Sequence, residues 1–342
     1  MNVTQSSYTS LAREIILAGQ SVAEKNFLQH AYVRLGSKTV MISTTLALGH
    51  DLIDPISGFL SAAESAMPDY SIVFMDGRST GYFPDISKLD QHDFPLGQVR
   101  TNLTKPFRLA IDTHTKTVQA LDPSSGTVVI WIAEGDDFPY WAAATPFRLA
   151  LAWIADSFDG EFLHGAAIAK DGKCVVLAGR SGAGKSTLTF YSQKIGFQIL
   201  SDDFFLYESE RIFPVYTRGK IHDASIPLLR GIPLNILNPK APDEKRIVQF
   251  NEAELVGLVN GVPPSVFLVP QTEGVSKLEV ASPSEVFHHL GPYSMSGLLG
   301  GTERSLLRTK RAIGNKPAFK TALKKPQNEL AKDLEEIWSR YG

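Results

Sequence analysis

From residue 8 to 35 apolar side chains recur around Leu11, Ile15, Leu17 and Val22, and this spacing predicts an opening amphipathic helix. The pattern then shortens. Apolar runs at 39–44, 70–75, 107–111 and 128–132 read as strands, with Asp76-Gly77, Asp122-Pro123 and Ser125-Gly126 as turns between them. A second helix is predicted over 147–157, turned by Asp159-Gly160. A strand over 162–169 carries His164-Gly165, and Asp171-Gly172 turns it back into a strand ending at Ala178. A helix over 185–195 stops at Gly196, a good residue for a helix end. Further strands are predicted at 197–200, 204–207, 212–216, 266–269 and 278–280. Ser282 and Glu285 have the spacing of a capping box, and a last helix covers about 327–339. Strands alternating with helices predict an α/β fold class for the second part. The expected organisation is a smaller N-terminal α+β module over 1–145 and a catalytic domain over 146–342.

Composition adds limits. The 342 residues suffice for two domains, and 43% hydrophobic with 20% charged residues is ordinary for a globular chain. A net charge of −2 gives no global attraction to nucleic acid or anionic membrane, so neither is expected as a partner. The polar opening 1–10 lacks the basic and apolar segments of a secretory signal, and no run approaches the roughly 18 apolar residues of a membrane span. Cys174 is the single cysteine, so no disulfide can form within the chain. Together these features predict a cytoplasmic protein. Cys174 itself reads as a small buried hydrophobe. His30, His92 and His114 show no ligand spacing and read as ordinary structural residues.

The chemistry is concentrated in one segment. Gly179-Arg180-Ser181-Gly182-Ala183-Gly184-Lys185-Ser186 is a complete G-x-x-x-x-G-K-[ST] pattern, followed by Thr187. An apolar strand precedes it and a helix follows. Glycines let consecutive N–H groups curl inward on an anion, and the helix start adds its positive dipole end. Lys185 is placed to reach phosphates and the Ser186 hydroxyl to ligate Mg²⁺. ATP and Mg²⁺ are therefore the expected donor and cofactor.

Binding alone does not transfer a phosphoryl group; an acceptor must be oriented and its proton removed. Asp202-Asp203, at the end of the strand after the loop helix, supplies two carboxylates for metal and proton work. His164 stands upstream on the neighbouring strand. Arg218, Lys220 and Arg246 are candidates to neutralise phosphate charge. Arg304, Arg308, Lys310, Arg311, Lys316, Lys320, Lys324 and Lys325 form a basic stretch after Gly300-Gly301. A solvated face is its simplest reading, and docking of an acidic peptide the sharper one.

The ordered set Leu163-His164-Gly165-Ala166-Ala167, 176–187 and Ile199-Leu200-Ser201-Asp202-Asp203 resembles the HPr kinase/phosphorylase family. That resemblance implies a P-loop kinase core related to phosphoenolpyruvate carboxykinase. It implies Asp202 as general base toward a serine hydroxyl, Lys185 and Ser186 as phosphate and Mg²⁺ contacts, Asp203 as an acid near the metal, and His164 as an active-site histidine. Leu228 stands where the family's Glu-x-Arg-Gly signature has its Glu, although Arg230-Gly231 is present. The second metal ligand and phosphorolysis therefore do not carry over.

A wider likeness rests on Tyr70-Ser71-Ile72, Trp131-Ile132, Phe138-Pro139-Tyr140-Trp141, Pro146-Phe147-Arg148, the segment 213–220 and Asp243-Glu244-Lys245-Arg246. It is similar to a subgroup encoded near asparagine-synthase-type or lasso-peptide-modifying enzymes. Some of its members phosphorylate a serine near the end of a peptide precursor. The expected function is a kinase acting on a hydroxyl, with serine of a peptide or protein as first candidate acceptor. A small-metabolite kinase and a nucleotide-gated regulatory binding protein are the alternatives. The core family forms hexamers, which leaves a homo-oligomer open.

Overall fold

The computed structural model describes residues 3–25, 28–45, 52–56, 67–86, 100–102, 107–112, 115–135, 138–239, 245–271, 277–297, 303–323 and 327–342. The chain is mixed α/β and divides into two compact units, Met1–Phe158 and Asp159–Gly342. Among the described residues no helix is long and apolar enough to cross a membrane.

In the first unit, α1 (Val3–Ala23) buries Leu11, Ile15 and Val22 on one face. These side chains share a core with Val73, Met75, Val118 and Val129. Leu17 lies off that face and is exposed. The predicted helix does not run on to 35. Instead β1 (Leu28–Leu35) pairs antiparallel with β2 (Lys38–Thr45), from Leu28↔Thr45 to Leu35↔Lys38. The reason is a change of period: Val33 and Leu35 are buried while Tyr32 and Arg34 are less so, an alternation that suits a strand. Gly36, at φ 61°, makes the turn. On β1, His30 Nδ1 lies 2.8 Å from Ser43 Oγ, a structural pairing. His92 and His114 lie outside the described residues.

The sheet continues through β3 (Tyr70–Asp76), β4 (Arg100–Asn102), β5 (Arg108–Asp112), β6 (Thr117–Asp122) and β7 (Thr127–Ile132). Its order is β1-β2-β3-β7-β6-β5-β4, with β2, β3 and β7 parallel. Asp76 is more than a turn residue: its carboxylate accepts the Ser79 N–H at 2.6 Å and caps a short helix, Gly77–Thr80. β6 escaped the apolar pattern because Thr117 and Gln119 are polar yet buried. The units divide between Phe158 and Asp159, after α2 (Arg148–Ser157), the helix expected to open the second domain. An Arg108–Asp156 ion pair at 2.5 Å ties α2 to β5.

The second unit begins with β8 (Glu161–His164), β9 (Ala166–Lys170) and β10 (Lys173–Leu177). After α3 (Lys185–Tyr191) and a 3-10 turn ending at Gly196 come β11 (Gln198–Ser201), β12 (Phe204–Glu208), β13 (Arg211–Phe213) and β14 (Arg218–Ile221). Then follow β15 (Asn235–Ile236), β16 (Arg246–Gln249), β17 (Pro264–Gln271), β18 (Glu279–Val280), α4 (Pro283–Gly297), α5 (Glu303–Ile313), β19 (Ala318–Ala322) and α6 (Gln327–Tyr341). The central sheet has the order β11-β9-β10-β17-β19-β18, with β10, β17 and β19 parallel. Two three-stranded sheets, β13-β12-β8 and β14-β16-β15, flank the chemistry.

The predicted strand 162–169 is thus two strands in two sheets, parted at Gly165. A Cβ there would meet the Phe205 ring at 2.9 Å and the Leu177 carbonyl at 3.1 Å, so only glycine lets the backbones approach at this bend. The predicted strand 212–216 stops at Phe213, and β14, β16 and β19 were not anticipated.

The capping box forms as its spacing predicts. Glu285 N–H donates to Ser282 Oγ at 3.2 Å, and Ser282 N–H donates to Glu285 Oε2 at 2.8 Å. Replacing Ser282 by alanine is expected to cost about 1 kcal/mol, read as a shift of the denaturant midpoint. No loss would mean that the cap is redundant.

Part of the basic stretch that could have formed a docking face is engaged within the unit. Arg308 is buried against Asp159 and Glu161, Lys316 pairs with Glu210, and Lys320 pairs with Glu285 at 2.8 Å. Gly300, Gly301, Lys324 and Lys325 lie outside the described residues.

Candidate active site

The parallel strand β10 runs straight into the 179–184 loop, and α3 starts at Lys185. Gly182 and Gly184 take φ values of 80° and 86°, a left-handed conformation that side-chain-bearing residues adopt at a cost. At Gly184 a Cβ would also run into the end of the Leu323 side chain. Lys185 is buried and folds back over the loop. Its Nζ donates to the Gly179 carbonyl at 2.7 Å and to the Arg180 carbonyl at 3.3 Å. Burial pulls its pKa down, while the Asp203 and Asp202 carboxylates oppose the shift. Within α3, Thr187 donates its hydroxyl to Ser225 Oγ at 2.9 Å.

The Asp pair sits in the tight connection from β11 to β12, where the Ser201 hydroxyl donates to the Phe204 carbonyl at 2.6 Å. The adjacent carboxylates have opposite environments. Asp202 is 4% exposed, and burial pushes its pKa up. Its Oδ2 accepts the Lys220 N–H at 2.9 Å, and that bond, together with the influence of the Ser186 hydroxyl, restrains the rise. Among the described residues its buried Oδ1 has no hydrogen-bond partner. Burial would raise Asp203 too, but the Lys220 ammonium and His164 hold it well below the usual carboxylate range. Lys220 Nζ lies 2.7 Å from Asp203 Oδ2, and His164 Nε2 lies 3.1 Å from Asp203 Oδ1.

His164 owes its position to both neighbours. It is paired with Phe204 across β8 and β12, the two rings 5.0 Å apart. Its backbone N–H donates to Ser294 Oγ on α4 at 2.9 Å.

These groups line one cavity of about 320 Å³. His164, Ser181, Gly182, Gly184, Lys185, Ser186, Thr187, Asp202, Asp203 and Lys220 contribute to its wall. Arg180 and Ala183 shape the loop, with Ala183 N–H donating to the Arg180 carbonyl at 3.1 Å. Two of the three downstream cations lie elsewhere. Arg218 donates to Gln249 Oε1 at 3.2 Å, and Arg246 forms a two-pronged pair with Asp223 at 2.6 and 2.7 Å. Asp243 and Glu244 lie outside the described residues. The wall also contains Tyr191, His222, Ser225, Leu228, Lys245 and Leu323, none of which was singled out as a site residue. His222 had a usable signal, because it follows Lys220 by two positions at the end of a strand. Leu323 had none, since only the fold brings the end of β19 over Gly184.

The fit to Mg²⁺ can be judged from this donor set. Asp203, expected beside the metal, has both oxygens engaged by Lys220 and His164, whereas Asp202 shares the cavity wall with Ser186, whose hydroxyl favours its charged form. Among the described residues no group of three or more His, Cys, Asp or Glu is gathered to hold a metal. A hydroxyl and one carboxylate nevertheless suit Mg²⁺, which keeps waters and takes phosphate oxygens for the rest of its shell. The unpartnered Asp202 Oδ1 is the atom that such an ion, or a proton, would satisfy.

No protein-family model matches the chain, and no curated protein matches it significantly.

Proposed function

We propose that the 159–342 unit is an ATP- and Mg²⁺-dependent kinase with a P-loop core of the HPr kinase/phosphoenolpyruvate carboxykinase type. It transfers the γ-phosphoryl group to a hydroxyl, and the acceptor we propose is a serine of a peptide or protein. The observation that carries this reading is the meeting of the 179–187 loop with Asp202, Asp203, His164 and Lys220 around one cavity. A glycine loop at a helix start supplies the anion site, and the Asp202 carboxylate on the same cavity wall supplies what an anion site alone lacks.

In this mechanism the loop amides and Ser186 cradle the phosphates. Lys185 exchanges the Gly179 and Arg180 carbonyls for phosphate oxygens. Asp202 orients the acceptor hydroxyl and takes its proton on Oδ1, while the acceptor oxygen gains the phosphoryl group and ADP departs. Asp203, already charge-compensated, remains ionised beside it. Bound Mg²⁺ supplies neutralisation of phosphate charge.

Titrating the full chain with ATP in the presence of Mg²⁺ tests the nucleotide half of the proposal. Lys185→Ala is expected to weaken binding by about 10- to 100-fold, the value of one charge-assisted hydrogen-bonded contact. Unchanged affinity in that variant would remove the phosphate-loop reading.

A further inference from the structure

Lys220 was a candidate to hold substrate phosphate, but its contacts point to another task. We infer that Lys220 is a positioning residue that clamps both carboxylates of the Asp pair, one through its backbone and the other through its side chain. This inference rests on the kinase reading above only for its functional consequence.

Among the described residues β14 is an edge strand of the sheet β14-β16-β15, so one row of its backbone groups has no ladder partner there. The Lys220 N–H uses that open edge and donates to Asp202 Oδ2 at 2.9 Å. The same residue turns its ammonium to Asp203 Oδ2 at 2.7 Å. Its side chain is 13% exposed and Asp203's is 18% exposed, so this contact is shielded more than a surface pair.

The preceding residue makes the clamp fit. A Cβ at Gly219 would lie 2.9 Å from Asp202 Oδ2 and 3.0 Å from Asp202 Cβ. Only glycine lets β14 approach the aspartate this closely. His164 holds the remaining Asp203 oxygen, so the second carboxylate is fixed on both sides. Adjacent carboxylates repel, and without a cation between them they would turn apart. Lys220 thereby sets where Asp202 Oδ1 points without itself touching the transferred group.

Two measurements separate this role from a phosphate contact. The first needs no activity: unfolding of wild type, Lys220→Met, Asp203→Asn and the double variant of the full chain. The clamp predicts that the two losses are not additive, the double variant melting well above the sum of the single shifts. Additive losses would overturn it, whatever the fate of the kinase reading. The second is kinetic. Lys220→Met keeps the backbone N–H, and it is expected to lower kcat by about 10- to 100-fold with nucleotide affinity within about threefold; Lys220→Arg should recover part of the loss. A fall in ATP affinity matching the fall in kcat/KM would assign Lys220 to the phosphates instead. Absence of transfer in wild type would count against the kinase reading alone, and the unfolding cycle would still decide the clamp.

Discussion

Asp202→Asn is expected to lower phosphoryl transfer by about 10²- to 10⁴-fold, the usual contribution of a positioned general base. Nucleotide affinity should change by less than about threefold. The asymmetry follows from what asparagine keeps. It has the same shape, and its carbonyl oxygen can still accept the Lys220 N–H, so the connection between β11 and β12 retains its anchor. What it loses is the second anionic oxygen. Among the described residues Asp202 Oδ1 has no hydrogen-bond partner, so no structural bond seen there is forfeited when that oxygen becomes an amide. An activity loss with intact binding therefore isolates the chemical step. Steady-state transfer assays paired with nucleotide titration check this. Full activity in Asp202→Asn would move the base elsewhere, and a parallel loss of binding would make Asp202 a metal-holding or structural group.

The second large effect concerns stability. Arg308 on α5 is 4% exposed at its side chain. Its Nε lies 2.8 Å from Asp159 Oδ1, and its Nη1 donates to the Gly160 carbonyl at 3.1 Å. Nη1 also lies 3.5 Å from Glu161, which is 8% exposed and is further bonded by the Ser305 hydroxyl. Arg308→Ala leaves Glu161 as a buried charge short of its cation, and a buried pair broken on one side typically costs about 3–5 kcal/mol. The second unit should lose that much in denaturant unfolding, and its melting temperature should fall by about 6–20 °C. Arg308→Met with Glu161→Leu should regain much of the loss, because the unpaired charge is removed as well. A loss below about 1 kcal/mol for the single variant would show that the network carries little.

Acid reports on the same network. The Arg308 contact holds the Asp159 carboxyl below its ordinary pKa, against the opposing effect of burial. A carboxyl lowered in the folded state contributes fully above its unfolded pKa of about 4, and the contribution fades as pH falls through the folded value. Asp159 is largely exposed, so this part of the loss should be small and reduced by salt.

The loop was legible because its chemistry is local. Gly182, Gly184, Lys185 and Ser186 are adjacent in the chain, and their required backbone conformations are encoded by glycine itself. The Asp pair and His164 were legible as candidates, and the cavity contains all three. The division of labour between the two aspartates was less so. Which of them takes the Lys220 backbone N–H and which its ammonium depends on how β14 approaches the β11–β12 connection, a long-range fact with no signature in either segment. Arg246 was misleading for the same reason: a cation near the motif looked available, but Asp223 had already claimed it.

Fold errors had a common source. β1 carries enough apolar residues to continue a helical spacing, and only the alternation of Val33 and Leu35 with Tyr32 and Arg34 marks the strand. β6 hides behind buried Thr117 and Gln119, whose inward faces depend on neighbouring strands. The split at Gly165 had a signal in the glycine itself, which often marks a bend inside a strand pattern, but the reason for it, the closeness of Phe205 and the Leu177 carbonyl, is visible only in the fold. Arg308 shows the reverse case. In sequence it belongs to a basic stretch that suits solvent, and in the fold it is one of the most buried charges of the unit.

The most direct test of the central claim is transfer of label from γ-labelled ATP, with Mg²⁺ and the full chain, to a panel of serine-containing peptides and proteins, with the labelled atom located by mass spectrometry. The account predicts label on a serine hydroxyl, lost with Lys185→Ala and with Asp202→Asn. Labelling that persists in both variants, or a wild-type chain that neither binds nucleotide nor labels any acceptor, would contradict it.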